Sequence, residues 1–124
     1  MVERFEEWTG NLNAGQRSRI EKFVSSHSRE YQMRLEERRR WQREAVALLR
    51  RHKIASELAL PLVRLYSEPE FGQSQEYIGA MRRWDSDFSV LVVDLHASLG
   101  AEQRARVLRR MERYAEDFRA LAKQ

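Results

Sequence analysis

Apolar residues recur along most of this chain at the three- and four-residue spacing of an amphipathic helix. The pattern predicts five helices, at about residues 13–24, 29–51, 56–66, 75–98 and 101–122, and a short lead-in helix at residues 2–9. Gly10, the run Ser25–Ser28 and the loop at residues 67–74 separate them. No stretch alternates apolar and polar residues for long enough to predict a strand, so the fold class is all-α.

The last two predicted helices each carry a heptad of large apolar residues. The spacing alternates between three and four in two sets: Tyr77, Met81, Trp84, Phe88, Leu91 and Leu95, and then Val107, Met111, Tyr114, Phe118 and Leu121. A short connection at Leu99 and Gly100 makes neighbouring helices antiparallel. The pattern therefore predicts a heptad-packed helical hairpin at residues 74–124.

These segments predict an antiparallel bundle of four main helices, with the short helix at residues 56–66 across one end. A chain of 124 residues fits a single domain, here 1–124. Within it, residues 1–12 form a lead-in segment, 13–52 the first two main helices, 53–73 the short helix and a loop, and 74–124 the hairpin. Pro61 is tolerated best in a first turn, so the regular part of the short helix is expected from about Leu60.

A motif is repeated at the start of two helices, as Leu-x-Ala-x-Gln-Arg-x-Arg followed by Ile or Val. In the first copy, Asn13 and Gln16 have the spacing of a capping box, in which each side chain bonds the backbone of the other residue. In the second copy, Gly100 replaces the asparagine, which predicts a weaker cap. The residues interpreted as structural capping motifs are Leu12, Asn13, Gln16, Leu99, Gly100 and Gln103. Losing either glutamine should cost about 0.5–2 kcal/mol, as lost caps do.

Charge is unevenly distributed along the chain. The net charge is +4, and arginine supplies most of the 23 basic side chains. The segment 29–53 is the most basic, and its candidate partner-binding residues are Arg34, Arg38, Arg39 and Arg43. Such a face favours two readings, a protein-interaction surface or, as the alternative, a nucleic-acid-binding helix. Acidic residues interleaved among the arginines disfavour the second.

Signatures of enzymes are absent from the sequence. There is no cysteine, and His27, His52 and His96 lie on different segments without a metal-binding or catalytic spacing. We therefore expect no catalytic residues, no cofactor and no metal site. No apolar run is long enough for a transmembrane helix, and the first residues lack the apolar core of a signal peptide.

Several segments together resemble the C-terminal half of a family of bacterial lipoproteins that carry a domain of unknown function. The resemblance spans nearly the whole chain, in the segments Trp8-Thr9-Gly10-Asn11-Leu12 with Gln16-Arg17, Arg39-Arg40-Trp41-Gln42, Leu48-Leu49, Ser74-Gln75-Glu76-Tyr77, Leu99 with Gln103-Arg104, and Ala115 to Leu121. The Leu-x-x-x-Gln repeats are also similar to the LTxxQ motifs of small helical periplasmic proteins of the Spy type. This chain has Asn13 and Gly100 where those proteins have threonine.

The resemblance implies a non-enzymatic lipoprotein domain that faces the periplasm at the outer membrane. A lipid anchor on a cysteine upstream of Met1 would hold the full-length protein, and the fragment itself is expected to be soluble. Spy-type proteins bind unfolded clients as cradle-shaped dimers, so the similarity implies unfolded or envelope proteins as partners. It leaves the oligomeric state open, a homodimer included.

Overall fold

A computed structural model describes residues 1–51, 54–67 and 72–123 of the chain. Those residues form six α-helices and no strand. The helices are α1 (Val2–Thr9), α2 (Ala14–Ser26), α3 (Ser28–Arg51), α4 (Ala55–Ser67), α5 (Gln75–Ser98) and α6 (Ala101–Leu121). The helices pack against each other in a bundle-like arrangement, and the predicted all-α class is confirmed.

The chain divides into two compact units, with boundaries at Ser26/His27 and within α5 at Ser86/Asp87. The first unit contains α1, α2, the second half of α5 and α6. Its core combines aliphatic and aromatic side chains with one hydroxyl and one amide, and its fully or nearly buried residues are Thr9, Leu12, Gln16, Ile20, Phe23, Leu91, Leu95 and Leu99. Gly10 ends α1 with a φ of 78°, a backbone conformation that side chains other than glycine rarely adopt.

The second unit, His27–Ser86, contains α3, α4 and the first half of α5. Its buried residues are Leu65, Ile78, Ala80 and Trp84. The rings of Trp41 on α3 and Tyr66 on α4 meet edge to face, with centroids 5.4 Å apart. This aromatic contact docks α4 against α3, where the sequence predicts a helix across the end of a bundle.

The helix ends agree with the sequence within one or two residues, because caps and glycines mark them. The short helix α4 is an exception: it begins at Ala55, six residues before Pro61, which lies inside the helix. The proline removes one backbone N–H donor, but the helix continues through it while α4 packs against α3. Of the predicted loop at 67–74, residues 68–71 lie outside the described residues, as do His52 and Lys53.

The predicted hairpin seam differs from the structure on its α6 side. On α5, the heptad residues are buried or half-buried as predicted. On α6, however, Met111, Tyr114, Phe118 and Leu121 are 56%, 43%, 68% and 61% exposed. Helix α1 packs along α6, with Trp8 stacked on Tyr114 and Arg110 bonded to Glu7. A heptad identifies an apolar face that packs against another surface, but it does not identify that surface.

Candidate functional site

Both copies of the repeated motif start a helix through their glutamine. At the start of α2, the Asn13 N–H donates to Gln16 Oε1 at 3.0 Å, and the Gln16 N–H donates to Asn13 Oδ1 at 2.9 Å. At the start of α6, the Gly100 N–H donates to Gln103 Oε1 at 3.0 Å. Glycine has no side-chain acceptor, so the second cap has one of the two hydrogen bonds.

The two glutamines also bind each other in the first unit. Each Nε2 group donates to the Oε1 of the other glutamine at 3.1 Å. Each Nε2 group also donates to the backbone carbonyl just before the other copy's leucine, Ser98 for Gln16 (3.0 Å) and Asn11 for Gln103 (2.8 Å). The sequence repeat is thus a reciprocal structural repeat that joins the starts of α2 and α6.

This glutamine pair is built into the core. Gln16 is 1% exposed, and Leu12 and Leu99 of the two copies are buried beside it. Buried amides need all their hydrogen bonds, and these bonds come from the chain itself. The pairing of Gln16 with Gln103 was not predicted from the sequence. The repeat was a signal for it, because two identical side-chain amides can each donate to and accept from the other. The pair holds the fold together and leaves little hydrogen-bonding capacity for a ligand.

Arg34, predicted as a partner-binding residue, contacts its own unit. Its guanidinium carbon lies 3.8 Å from the ring centroid of Trp84, a cation–π distance. Its Nε donates to the sulfur of Met81 at 3.1 Å, and a longer ion pair of 3.8 Å links it to Asp85. Arg34 therefore packs α3 on α5 while its side chain stays 39% exposed, and its role in partner binding stays a prediction.

The other three predicted arginines, Arg38, Arg39 and Arg43, are exposed on α3. Arg39 and Arg43 are four residues apart and share a face of the helix. Leu35 and Val46, which are 41% and 45% exposed, fall on the same face by helical spacing. The outer face of α3 is therefore basic and partly apolar.

Arg40, another arginine of α3, is paired with two carboxylates. Arg40 donates to Glu37 at 2.5–3.1 Å and to Glu44 at 2.7 Å. The hydrogen bonds to Glu37, with the negative charges of both carboxylates, raise the pKa of Arg40 above its usual value. Burial, and then the nearby Glu37 charge, raises the pKa of the Tyr77 hydroxyl. Arg40 thus stays charged but is paired with two carboxylates, so it adds little to the positive charge of α3.

Exposed apolar side chains occur on α3, α4, α5 and α6, and those on α4 and α6 include the most exposed ones. On α4, Leu60, Val63 and Tyr66 recur every third residue and are 78%, 60% and 73% exposed. On α6, the exposed apolar residues are Leu108, Met111, Phe118 and Leu121. We call the second set the α6 stripe. Extended exposed apolar surface is typical of sites that bind proteins or other apolar partners.

Metal-ligating side chains do not gather in the described part of the chain, where no group of three such residues has the geometry for an ion. Within the same residues, none of the helices is both long and apolar enough to cross a bilayer.

Arg34 and Arg39 provide a matched test of these assignments. Arg34→Ala should lower the free energy of unfolding by about 1–2 kcal/mol, because it loses the cation–π contact and the packing of its alkyl stem. Arg39→Ala should change it by less than about 0.5 kcal/mol, as exposed substitutions do. Urea denaturation followed by circular dichroism measures both. Equal costs would mean that Arg34 is no more structural than its neighbour.

The fold and these surfaces together define an all-helical protein built from two helical units. The chain belongs to a family of unknown function, DUF6279, which matches residues 1–78. That match includes the first copy of the motif and the arginines of α3. The second copy lies beyond it, although the resemblance seen in the sequence extends nearly to the end of the chain. No curated protein and no solved structure matches the chain.

Proposed function

We propose that this chain is a non-enzymatic protein-interaction domain of a periplasmic lipoprotein, and that it holds apolar segments of unfolded or envelope proteins. The observation that carries the proposal is the α6 stripe. Its four side chains are 56–68% exposed and extend over about 20 Å of helix. A soluble domain rarely leaves so many large apolar residues on one helix uncovered.

The α6 stripe continues an interface that the first unit already uses. Helix α1 runs antiparallel to α6: Arg106 lies beside Gly10, Arg110 Nη1 donates to the Glu7 carbonyl at 2.6 Å, and Trp8 stacks on Tyr114 at 5.6 Å. Phe118 and Leu121 follow on the same helix and remain exposed. An apolar segment that lies along α6 would therefore extend a packing that α1 begins.

The partner expected here is an apolar or amphipathic segment without strong charge. Next to the stripe α6 carries both signs, among them Glu112, Asp117 and Arg119, so charge selects no single partner sign. Helix-in-groove recognition uses apolar anchors three, four or seven residues apart, and Met111, Phe118 and Leu121 follow one another at seven and three. Binding of this kind tolerates many sequences, as binding of unfolded clients requires.

A scattering assay tests the proposal with a matched control. Wild-type protein, in several-fold excess, should suppress the aggregation of a reduced, unfolded client such as α-lactalbumin. Met111→Ser with Phe118→Ser should weaken this protection at least about fivefold, because it removes two apolar anchors. The control, Val90→Ser with Val93→Ser, removes side chains that are 58% and 66% exposed on α5 and should retain protection.

Three results would contradict the proposal: no protection by the wild type, equal loss in the control, or full protection by the stripe variant. Analytical ultracentrifugation of the chain alone tests whether a second copy occupies the stripe. A wild type that is a dimer and a stripe variant that is a monomer would assign this face to self-association. Oligonucleotide binding that survives physiological salt with a steep salt slope would instead favour the nucleic-acid alternative.

The periplasmic location and lipid anchor rest on the resemblance of the segments around Trp8, Gln16 and Trp41 to bacterial lipoproteins. Metabolic labelling of the full-length protein with a palmitate analogue, followed by membrane fractionation, tests them. Label in the membrane fraction that is lost when an upstream cysteine is replaced would support the proposal. An unlabelled protein in the cytoplasmic fraction would contradict it.

A further inference from the structure

A row of exposed apolar side chains runs along the outer side of α3. Leu35, Val46 and Leu49 are 41%, 45% and 55% exposed. At about 3.6 residues per turn, the three residues fall within an arc of roughly 60°, and the row is about 21 Å long. Apolar side chains gathered on an exposed surface are typical of a site that binds a protein or a membrane.

Arginines flank this row on both sides. By the same helical geometry, Arg38 lies on one side of the row, and Arg39, Arg43 and Arg50 lie on the other. All four are exposed, and within the described residues none of them forms a hydrogen bond or an ion pair. We call the three apolar residues and these four arginines together the α3 face.

Most acidic side chains of α3 lie away from the α3 face. By helical spacing, three of them fall on the opposite side of the helix, namely Glu30, Glu37 and Glu44. Glu36 is exposed at the edge of the α3 face. Four arginines against this carboxylate leave the face positive, so it is complementary to a negatively charged partner.

The apolar row distinguishes between the partners that carry negative charge. Nucleic acid offers phosphates to arginines but leaves exposed leucine and valine side chains without an apolar environment. Peptide helices bind in grooves, whereas the outer surface of a single helix is convex. A bilayer with anionic lipids meets such a surface along its length, because its interface accepts apolar side chains between the charged head groups. The α3 face therefore favours a membrane surface.

We propose that the α3 face docks on a bilayer that contains anionic phospholipids. Its arginines bind the head-group phosphates, for which a guanidinium group offers paired N–H donors. Leu35, Val46 and Leu49 enter the boundary between head groups and acyl chains, and the arginines select anionic over neutral lipid. The α3 face belongs to the second unit, so this proposal is independent of the α6 stripe and of client binding.

Co-sedimentation of the chain with lipid vesicles at low salt tests the role of the arginines. Phosphatidylcholine vesicles with about three tenths phosphatidylglycerol should bind the chain at least about tenfold more strongly than vesicles of phosphatidylcholine alone. Arg39→Gln with Arg43→Gln should lower the partition coefficient at least about tenfold, because each arginine at an anionic surface contributes roughly fivefold. The matched control is Arg109→Gln with Arg113→Gln, which removes the same charge from exposed positions on α6 and should retain binding.

The apolar row is tested at about 150 mM salt, where the charges are partly screened. Val46→Ser with Leu49→Ser should weaken binding to the anionic vesicles at least about fivefold, because two apolar side chains no longer leave water. Val90→Ser with Val93→Ser removes similarly exposed side chains from α5 and should leave binding unchanged. All the substituted side chains are exposed, so the variants should fold, and circular dichroism verifies it.

Four results would overturn the proposal: no binding to anionic vesicles, equal binding to neutral ones, an equal loss in either control, or full binding by the variant of Arg39 and Arg43. If the chain binds an oligonucleotide instead of anionic vesicles, and Val46→Ser with Leu49→Ser leaves that binding unchanged, the α3 face is a nucleic-acid surface. Binding to anionic vesicles that both the arginine and the apolar substitutions weaken would support docking on a membrane.

Discussion

Gln16→Ala is expected to lower the free energy of unfolding by about 2–4 kcal/mol, because it removes a buried amide and leaves its partly buried partners without their hydrogen bonds. The affected groups are the Asn13 N–H, the Ser98 carbonyl and the side-chain amide of Gln103, all of which bond Gln16. The sequence predicts a smaller loss, that of a helix cap alone. The difference between the two values is the contribution of the pairing between the two copies.

Urea denaturation with Gln42→Ala as the control measures this effect. Gln42 is an exposed glutamine in the interior of α3, so its replacement should change stability by less than about 0.5 kcal/mol. Client protection by Gln16→Ala should persist at temperatures where the variant is folded. A loss below about 1 kcal/mol would mean that the cap accounts for the whole effect.

Phe23→Ala should cost about 3–4 kcal/mol, within the range for buried phenylalanines. Phe23 is 7% exposed, and its ring packs on Phe88 with centroids 5.9 Å apart. Phe88 in turn contacts Phe5 at 6.3 Å. Because this aromatic cluster joins α1, α2 and α5, a cavity at Phe23 weakens the packing of three helices.

Phe118→Ala is the matched control, since it removes the same side chain from a site that is 68% exposed. It should cost less than about 0.5 kcal/mol and should reduce client protection instead. Thermal unfolding of the two variants therefore separates a core phenylalanine from one proposed to bind partners. Similar losses of stability would show that Phe118 is packed in solution.

The positions of the helices could be predicted because they depend on neighbours in sequence. Gly10 ends α1, Asn13 and Ser74 precede helices, and the heptad of α5 marks its inward face over its whole length. These signals act within a few residues, through caps and helical periodicity. Pro61 misled the prediction because packing on α3, a tertiary effect, keeps the helix regular through it.

The partners of each face could not be predicted, since they depend on contacts between distant segments. Arg34 has the same local pattern as Arg38, and only the position of Trp84 on another helix distinguishes a packed arginine from an exposed one. Likewise, the apolar pattern of α6 is compatible with packing on α5, as in a hairpin, and equally with packing on α1. Sequence periodicity assigns residues to faces, and tertiary structure decides which faces meet.

The sequence predicted the kinds of candidate binding surface better than the residues that form them. A basic face on α3 was predicted from its arginines, and Arg39 and Arg43 are exposed there. Three residues of the α6 stripe, Met111, Phe118 and Leu121, were assigned to the packed seam of a hairpin because their heptad is regular. A regular heptad is equally compatible with a partner outside the chain, which is the use proposed here.

A double-mutant cycle on Gln16 and Gln103 tests most directly whether the repeated motif is a paired structural device. Free energies of unfolding of the wild type, the two single alanine variants and the double variant would be measured in urea. The reciprocal hydrogen bonds of 3.1 Å predict a coupling of about 1–3 kcal/mol, so that the double variant costs much less than the sum of the single ones. Additive losses, with a coupling below about 0.3 kcal/mol, would contradict the pairing and reduce each copy to an independent helix cap.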